Sequence, residues 1–287
     1  TMIGILNINK PTGWTSRDVV NRVQRLVRPA KAGHAGTLDP LATGVLVVCV
    51  GQATRLIEYV QRMPKRYVGT FQLGVTSPSD DTETELTAVA AAQVPTLAEL
   101  QQAAPKFVGC IEQRPPAYSA IKLHGQRAYE LARRGQEVEL RSRPVTVHSI
   151  EVMRYGHPEL VLDIRCGSGT YIRSLGRDLA ESLGTGAVMS ELIRTDIGDF
   201  NVEQSCTPEE VLEQGVEPFL QPASGAVANL PTITLTDSDM EDIRHGRSID
   251  RRDLDAAEVA AMDSLGRLVA VLVPRRGAWG PKMVFKG

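Results

Sequence analysis

The chain alternates short apolar runs with stretches in which apolar residues recur at helical spacing. Gly4 to Asn9 reads as a strand, and Val45 to Val50 is an unbroken apolar run ended by Gly51, the signature of a short buried strand. Between them, Val19, Val20, Val23, Leu26 and Val27 keep the helical period behind Thr15 or Ser16 as a cap, leaving Arg22, Arg25 and Arg28 off the apolar stripe. A helix is expected from about Ala53 to Gln61. Arg66 to Leu73 then alternates as a strand, with Tyr67, Phe71 and Leu73 on one face. Thr96 to Glu99 is a capping box that opens another helix.

Further on, Val145 to Arg154 and Leu160 to Cys166 read as paired strands. The Gly167-Ser168-Gly169-Thr170 turn leads into a helix from Tyr171 to Leu183, and Ser190 to Phe200 is another strand. That turn lacks the third glycine and downstream acid of a dinucleotide site, which excludes a Rossmann reading. Thr207-Pro208-Glu209-Glu210 starts a short helix. Gln221 to Pro231, rich in Pro, Ser and Ala, reads as a linker. Beyond it, short strands broken by Gly246, Gly266, Gly277 and Gly280, with Leu268 to Val273 the clearest, fit a small β-barrel. Two domains are expected, residues 1–228 and 229–287.

Composition narrows the class. With 287 residues, 42% hydrophobic and 23% charged, the chain is ordinary for a soluble globular protein. No apolar run approaches the ~20 residues of a membrane span, and the N-terminus lacks the layout of a secretory signal, so a cytoplasmic protein is expected. Cys49, Cys110, Cys166 and Cys206 are widely separated, which suggests neither a zinc site nor a disulfide framework. The acidic turn from Ser77 to Glu85 lacks the ligand order of a calcium loop. A formal net charge of -2 argues against holding nucleic acid by bulk electrostatics. Local basic faces remain. Lys10 to His34 and Ser264 to Gly287 are basic, and the segment of about 105–143 interleaves Arg114, Lys122, Arg127, Arg133 and Arg134 with Tyr118, His124 and Tyr129. That mixture suits phosphate contact and base stacking, and it equally suits a solvated helix hairpin.

The stretch His34-Ala35-Gly36-Thr37-Leu38-Asp39-Pro40-Leu41-Ala42-Thr43-Gly44 precedes the buried strand. Pro40 disfavours helix at Asp39, so the acid sits in a turning segment at the mouth of a sheet. Loops on rigid scaffolds carry much catalysis, but an acid before proline is more often a plain turn former.

This stretch closely resembles the catalytic-aspartate segment of the tRNA pseudouridine synthase B family. The resemblance extends in order through Lys10-Pro11, Thr15-Ser16, Lys65-Arg66-Tyr67, Arg114-Pro115-Pro116-Ala117-Tyr118-Ser119-Ala120, Gly169-Thr170-Tyr171-Ile172-Arg173 and Leu192-Ile193-Arg194-Thr195. The tail resembles a PUA RNA-binding domain more weakly. Two departures stand out: the turn after Thr76 lacks a glycine often found there, and Ile193 stands where a second arginine is common.

The resemblance implies an α+β fold with a mixed, largely antiparallel sheet and flanking helices, plus a C-terminal PUA-like barrel. It implies isomerisation of uridine 55 in the T-arm loop of tRNA by a monomer that needs no cofactor, metal or protein partner. Asp39 falls on the nucleophile, with Arg173 as its partner. Tyr67 would stack on the base and take the final C5 proton, Tyr171 and Leu192 would complete the pocket, His34 would support RNA vacated by base flipping, and Lys10 would contact substrate. Taken alone, Tyr67 and Leu192 fit core packing better than function, and His34 fits a backbone bond. A rival class is an RNA-binding or tRNA-folding module; a third, a metal-dependent RNA hydrolase, finds little support in five scattered histidines.

Overall fold

The computed structural model describes residues 2–118, 140–250 and 254–285, with the backbone of 122–123 and 126–127. The first half supplies β1 (Gly4–Lys10), α1 (Ser16–Leu26), β2 (Ala32–His34), β3 (Thr43–Val50), α2 (Ile57–Arg62), β4 (Lys65–Leu73), the β5–β6 pair (Val75–Thr76, Thr87–Ala88), α3 (Leu97–Ala103) and β7 (Gly109–Gln113). The small β8–β9 pair (Lys122–Leu123, Gln126–Arg127) precedes β10 (Arg143–Gly156) and β11 (Glu159–Cys166). Then come α4 (Ile172–Glu181), β12 (Ala187–Ile197), β13 (Phe200–Asn201) and α5 (Pro208–Gln214).

Nine strands form one sheet with the path β1-β3-β12-β4-β11-β10-β7, β2 pairing with β3 and β13 with β12. Only the β3–β12 contact is parallel among its pairs, so the expected mixed, largely antiparallel sheet is observed. β3 is buried on both faces, as its unbroken apolar run requires. The face that carries Tyr67, Arg194 and Leu46 packs on α4 at one end and on α1 and α5 at the other, while the opposite face of β3 packs on α2. β4 alternates strictly, its odd residues buried with Phe71 and Leu73 under α4. Gly176 lets α4 come close to the sheet: a Cβ there would lie 2.0 Å from the Phe71 ring.

Several expectations need correction. The helix expected over 53–61 is a 3-10 turn (Gly51–Leu56) followed by α2. The strand expected over 190–200 starts earlier and breaks at Gly198 (φ 53°), where a side chain would strike Met63. The stretch expected to link two units is packed instead. Gln221 exchanges backbone hydrogen bonds with Ile5 (2.9 and 2.8 Å), and Ala226 and Val227 are buried.

The remaining chain forms β14 (Thr232–Thr234), α6 (Asp237–Arg244), β15 (Ile249–Asp250), β16 (Val259–Met262), β17 (Leu268–Arg275) and β18 (Ala278–Val284). Its strands make a curled five-stranded sheet in the order β14-β16-β17-β18-β15, the architecture expected of the tail. Helix α6 was not anticipated, although Thr236 and Asp239 form a reciprocal capping box at its start.

Candidate active site

The loop carrying Asp39 is fixed by bonds to its own backbone. Ser16 Oγ accepts from Leu38 N (2.8 Å) and donates to Leu38 O (3.2 Å). Gly13 N donates to Pro40 O (2.8 Å), and Ala42 N to Asp39 O (3.0 Å). Arg194, almost wholly buried, reaches over from β12 to donate to Val45 O (2.7 Å), Gly36 O (3.1 Å) and Thr37 O (3.4 Å). Gly44 (φ 99°) lets β3 lie close beside β12 where Arg194 starts, since a Cβ there would sit 2.2 Å from the Arg194 backbone oxygen.

Lys10 belongs to the same scaffold, which corrects its expected contact with substrate. Its side chain is fully buried, and Nζ donates to Trp14 O (2.7 Å), Pro11 O (2.9 Å) and Pro40 O (3.3 Å). Burial pulls its pKa down to about 8, against the opposing pull of Asp39. Lys10 supports the loop from behind.

What the loop presents is a carboxylate with 38% of its side chain exposed, set against a buried guanidinium. Arg173, in the first turn of α4, places Nη2 3.0 Å from Asp39 Oδ2. The same nitrogen donates to Tyr118 O (3.0 Å). Nη1 meets the buried Asp81 (3.0 Å) and Ser79 O (2.8 Å). Asp81 in turn accepts from Ser79 Oγ (2.5 Å) and Glu83 N (3.0 Å). One arginine therefore lies between two carboxylates, one enclosed and one open.

The acidic turn thus faces inward. Asp80 pairs with Arg177 one helical turn beyond Arg173 (2.6 Å), and Asp80 itself takes a left-handed conformation (φ 58°). Burial first, then the nearby Asp81 and Asp39 charges, pushes the Glu83 carboxyl above its usual range.

Asp39 opens into a cleft of about 410 Å³ also lined by Lys65, Tyr67, Tyr171, Arg173, Leu192 and Arg194. Tyr67 stands opposite Arg194 in the β4–β12 ladder, and burial pushes its phenol pKa up against the opposing pull of Arg194. Tyr171 precedes α4, its backbone clamped by the Gln113 amide, which accepts from Tyr171 N (2.7 Å) and donates to Tyr171 O (2.9 Å). Lys65 closes the floor, donating to Gln61 O (2.5 Å), Met63 O (2.7 Å) and Ser168 Oγ (3.0 Å). The arrangement can stabilise or trap an electrophilic carbon at Asp39, between aromatic and aliphatic walls.

Comparison with known proteins gives the family. A family model described as TruB family pseudouridylate synthase (N terminal domain) matches residues 24–172, and the tRNA pseudouridylate synthase B C-terminal domain matches 173–224. A tRNA pseudouridine synthase B from Rhodopirellula baltica is 36% identical, covering 99% of this chain and 94% of its own. One from Arthrobacter sp. is 40% identical, covering 98% and 96%. The chain belongs to the TruB family of pseudouridylate synthases.

Solved structures share the fold of this TruB chain. An H/ACA RNP bound to a substrate RNA containing 2′-deoxyuridine superposes with a TM-score of 0.77 at 26% identity, over 99% of this chain and 85% of that one. A Cbf5-Nop10-Gar1 complex gives 0.75 at 29% identity, over the same shares.

Within this TruB chain the other expected site residues divide. Tyr67, Tyr171, Arg173 and Leu192 come together with Asp39. His34 does not line the cleft. It is half-buried on β2, opposite Val48, with Nδ1 unpartnered among the described residues; burial, Arg194 and Arg17 all lower its pKa. Ile193 points to the opposite face from Leu192 and is 39% exposed, so that departure lies away from the cleft. Of the basic segment, His124, Tyr129, Arg133 and Arg134 lie outside the described residues. Sequence reasoning missed Asp81, Lys65, Arg143 and the loop-holding role of Arg194.

Proposed function

We propose that this TruB chain isomerises uridine to pseudouridine at position 55 in the T-arm loop of tRNA, with Asp39 as the nucleophile. The observation that carries the reading is the exposed Asp39 carboxylate, pinned by Arg173 inside a cleft large enough for a nucleoside. The relatives named tRNA pseudouridine synthase B support tRNA as the substrate. The base must leave the stacked loop to reach Asp39, at a cost of a few kcal/mol that pocket contacts offset. Tyr67 and Tyr171 supply aromatic surface, and Leu192 an apolar wall. The N1–C1′ bond breaks, uracil turns over in place, and C5 bonds to C1′. The C5 proton passes to the Tyr67 oxygen as the phenol gives up its own, and N1 gains a proton, so the ring tautomerises with no net proton lost.

In this reading residues 1–228 do the chemistry and residues 229–287 are a PUA-like RNA-binding unit. The protein acts in the cytoplasm as a monomer, without a protein partner or cofactor. His34 supports the RNA at the rim, and the basic segment around 105–143 holds the T-arm phosphates.

The test uses tRNA transcript tritiated at uracil C5, because isomerisation expels that hydrogen. The native chain is expected to release label to water, and Asp39→Asn none. Release by the variant at the native rate removes Asp39 from the chemistry. Tight tRNA binding by the native chain without release favours the binding-module reading.

A further inference from the structure

Arg143 opens β10 and lines the same cleft as Asp39. The cleft's cations differ in how many donors they have left. Arg173 commits both Nη nitrogens to four acceptors. Lys65 spends its three donors on Gln61, Met63 and Ser168, and Arg194 commits each of its three nitrogens to a backbone carbonyl, of Val45, Thr37 and Gly36. A guanidinium carries five N–H groups. Arg143 uses one in a described hydrogen bond, from Nη2 to Gly169 O (2.5 Å), and pairs with no carboxylate among the described residues.

Its seat is rigid. The guanidinium lies 4.9 Å from the centre of the Tyr171 ring, stacked as a cation on an aromatic face. Gln113, which clamps the Tyr171 backbone, is also Arg143's neighbour in the β7–β10 ladder. Gly169, in the left-handed region (φ 83°), brings its carbonyl beneath Arg143. The result is a fixed cation at the cleft with spare donors. A nucleotide entering that cleft brings a phosphate on either side of its ribose.

We propose that Arg143 binds a phosphate flanking the everted uridine, setting how deeply the nucleoside enters toward Asp39. This rests on the uridine-isomerising reading above. Full-length native protein, Arg143→Gln and Arg143→Lys are to be titrated with tRNA over a range of salt. They are also to be titrated with T-arm stem-loops carrying a neutral methylphosphonate on one or the other side of the target uridine.

Arg143→Gln is expected to weaken binding about tenfold, as for one charge-assisted contact, and to flatten the slope of log affinity against log salt by about 0.7–0.9. Arg143→Lys keeps most of the slope. One of the two methylphosphonates weakens native binding but leaves Arg143→Gln unaffected, a coupling that mere support of Tyr171 does not produce. An unchanged salt slope, or equal methylphosphonate sensitivity in native and Arg143→Gln, overturns the proposal. If Arg143→Gln fails to fold, the native titration decides alone: indifference to both methylphosphonates overturns it. Absent tritium release by the native chain instead defeats the isomerase reading.

Discussion

At the scale of single residues, the site depends on Arg173 reaching two carboxylates at once. A lysine keeps the charge but offers one nitrogen where the planar fork offers two. Arg173→Lys is therefore expected to lower single-turnover tritium release at least tenfold, about 1.4 kcal/mol of barrier, while tRNA affinity changes little. A rate within twofold of native contradicts this assignment. Lys10 and Lys65, both with pKa pulled to about 8 by burial, give the site a pH dependence. Above that pH each loses one of three N–H donors, and Pro40 O holds the longest of the Lys10 bonds. The rate is expected to fall along a limb with an apparent pKa near 8. The stability contribution of the two amines runs the other way. Between about 8 and 10.5 the unfolded chain binds more of their protons, so that contribution rises with pH. Stopped turnover assays beside denaturant melts at matched pH separate the two effects. The loop position of Asp39 was legible because Gly36, Pro40 and Gly44 announce a turn around it, whereas its proposed role came from the family resemblance and not from the turn. Asp81 was not legible. Its role depends on a contact with a residue 92 positions away, and nothing local distinguishes an inward acid from a solvated one.

At the scale of elements, periodicity located α1, β3, β4 and α4 because each has a buried face that its own residues pattern. It failed where the backbone answers to a neighbour. The 3-10 turn before α2 begins at Gly51, whose missing side chain leaves room for Met2 O, and the break after β12 answers to Met63. Helix α6 was hidden by a short, acidic, mostly exposed sequence, with only its capping box to mark it. The approach of α4 to β4 through Gly176 gives the sharpest test at this scale. Alanine at 176 raises helix propensity by about 1 kcal/mol, yet its methyl would lie 2.0 Å from a Phe71 ring enclosed in the core. Overpacking costs about 1–3 kcal/mol and should win, so Gly176→Ala is expected to lower the thermal midpoint by several degrees. Because Arg173 rides on the same helix, tritium release should fall in step. A midpoint at or above native rejects the tight-contact account.

At the scale of the whole molecule, the curled C-terminal sheet shares its core with the large one. Ala260, Val271 and Phe285 are buried in one cluster with Val45, Val47 and Val60. Arg55 donates to Val284 O (2.9 Å), and Lys282 donates to the Tyr59 hydroxyl (3.0 Å) and to Glu258 (2.5 Å). Helix α2, which takes this load through Tyr59, ends at the carbonyls that hold Lys65 in the cleft floor. Units that bury apolar surface against each other lose it together, so calorimetry of the native chain should give one cooperative transition. Phe285→Ala removes the largest of the three buried side chains that the second sheet contributes to this cluster, and such truncations cost about 3–5 kcal/mol. That loss should fall on the junction and split the melt in two, with the C-terminal sheet opening first. Loosening α2 should also slow tritium release. Two transitions in the native chain, or a Phe285→Ala melt that shifts without splitting and leaves release untouched, would mean that the junction carries little of the coupling.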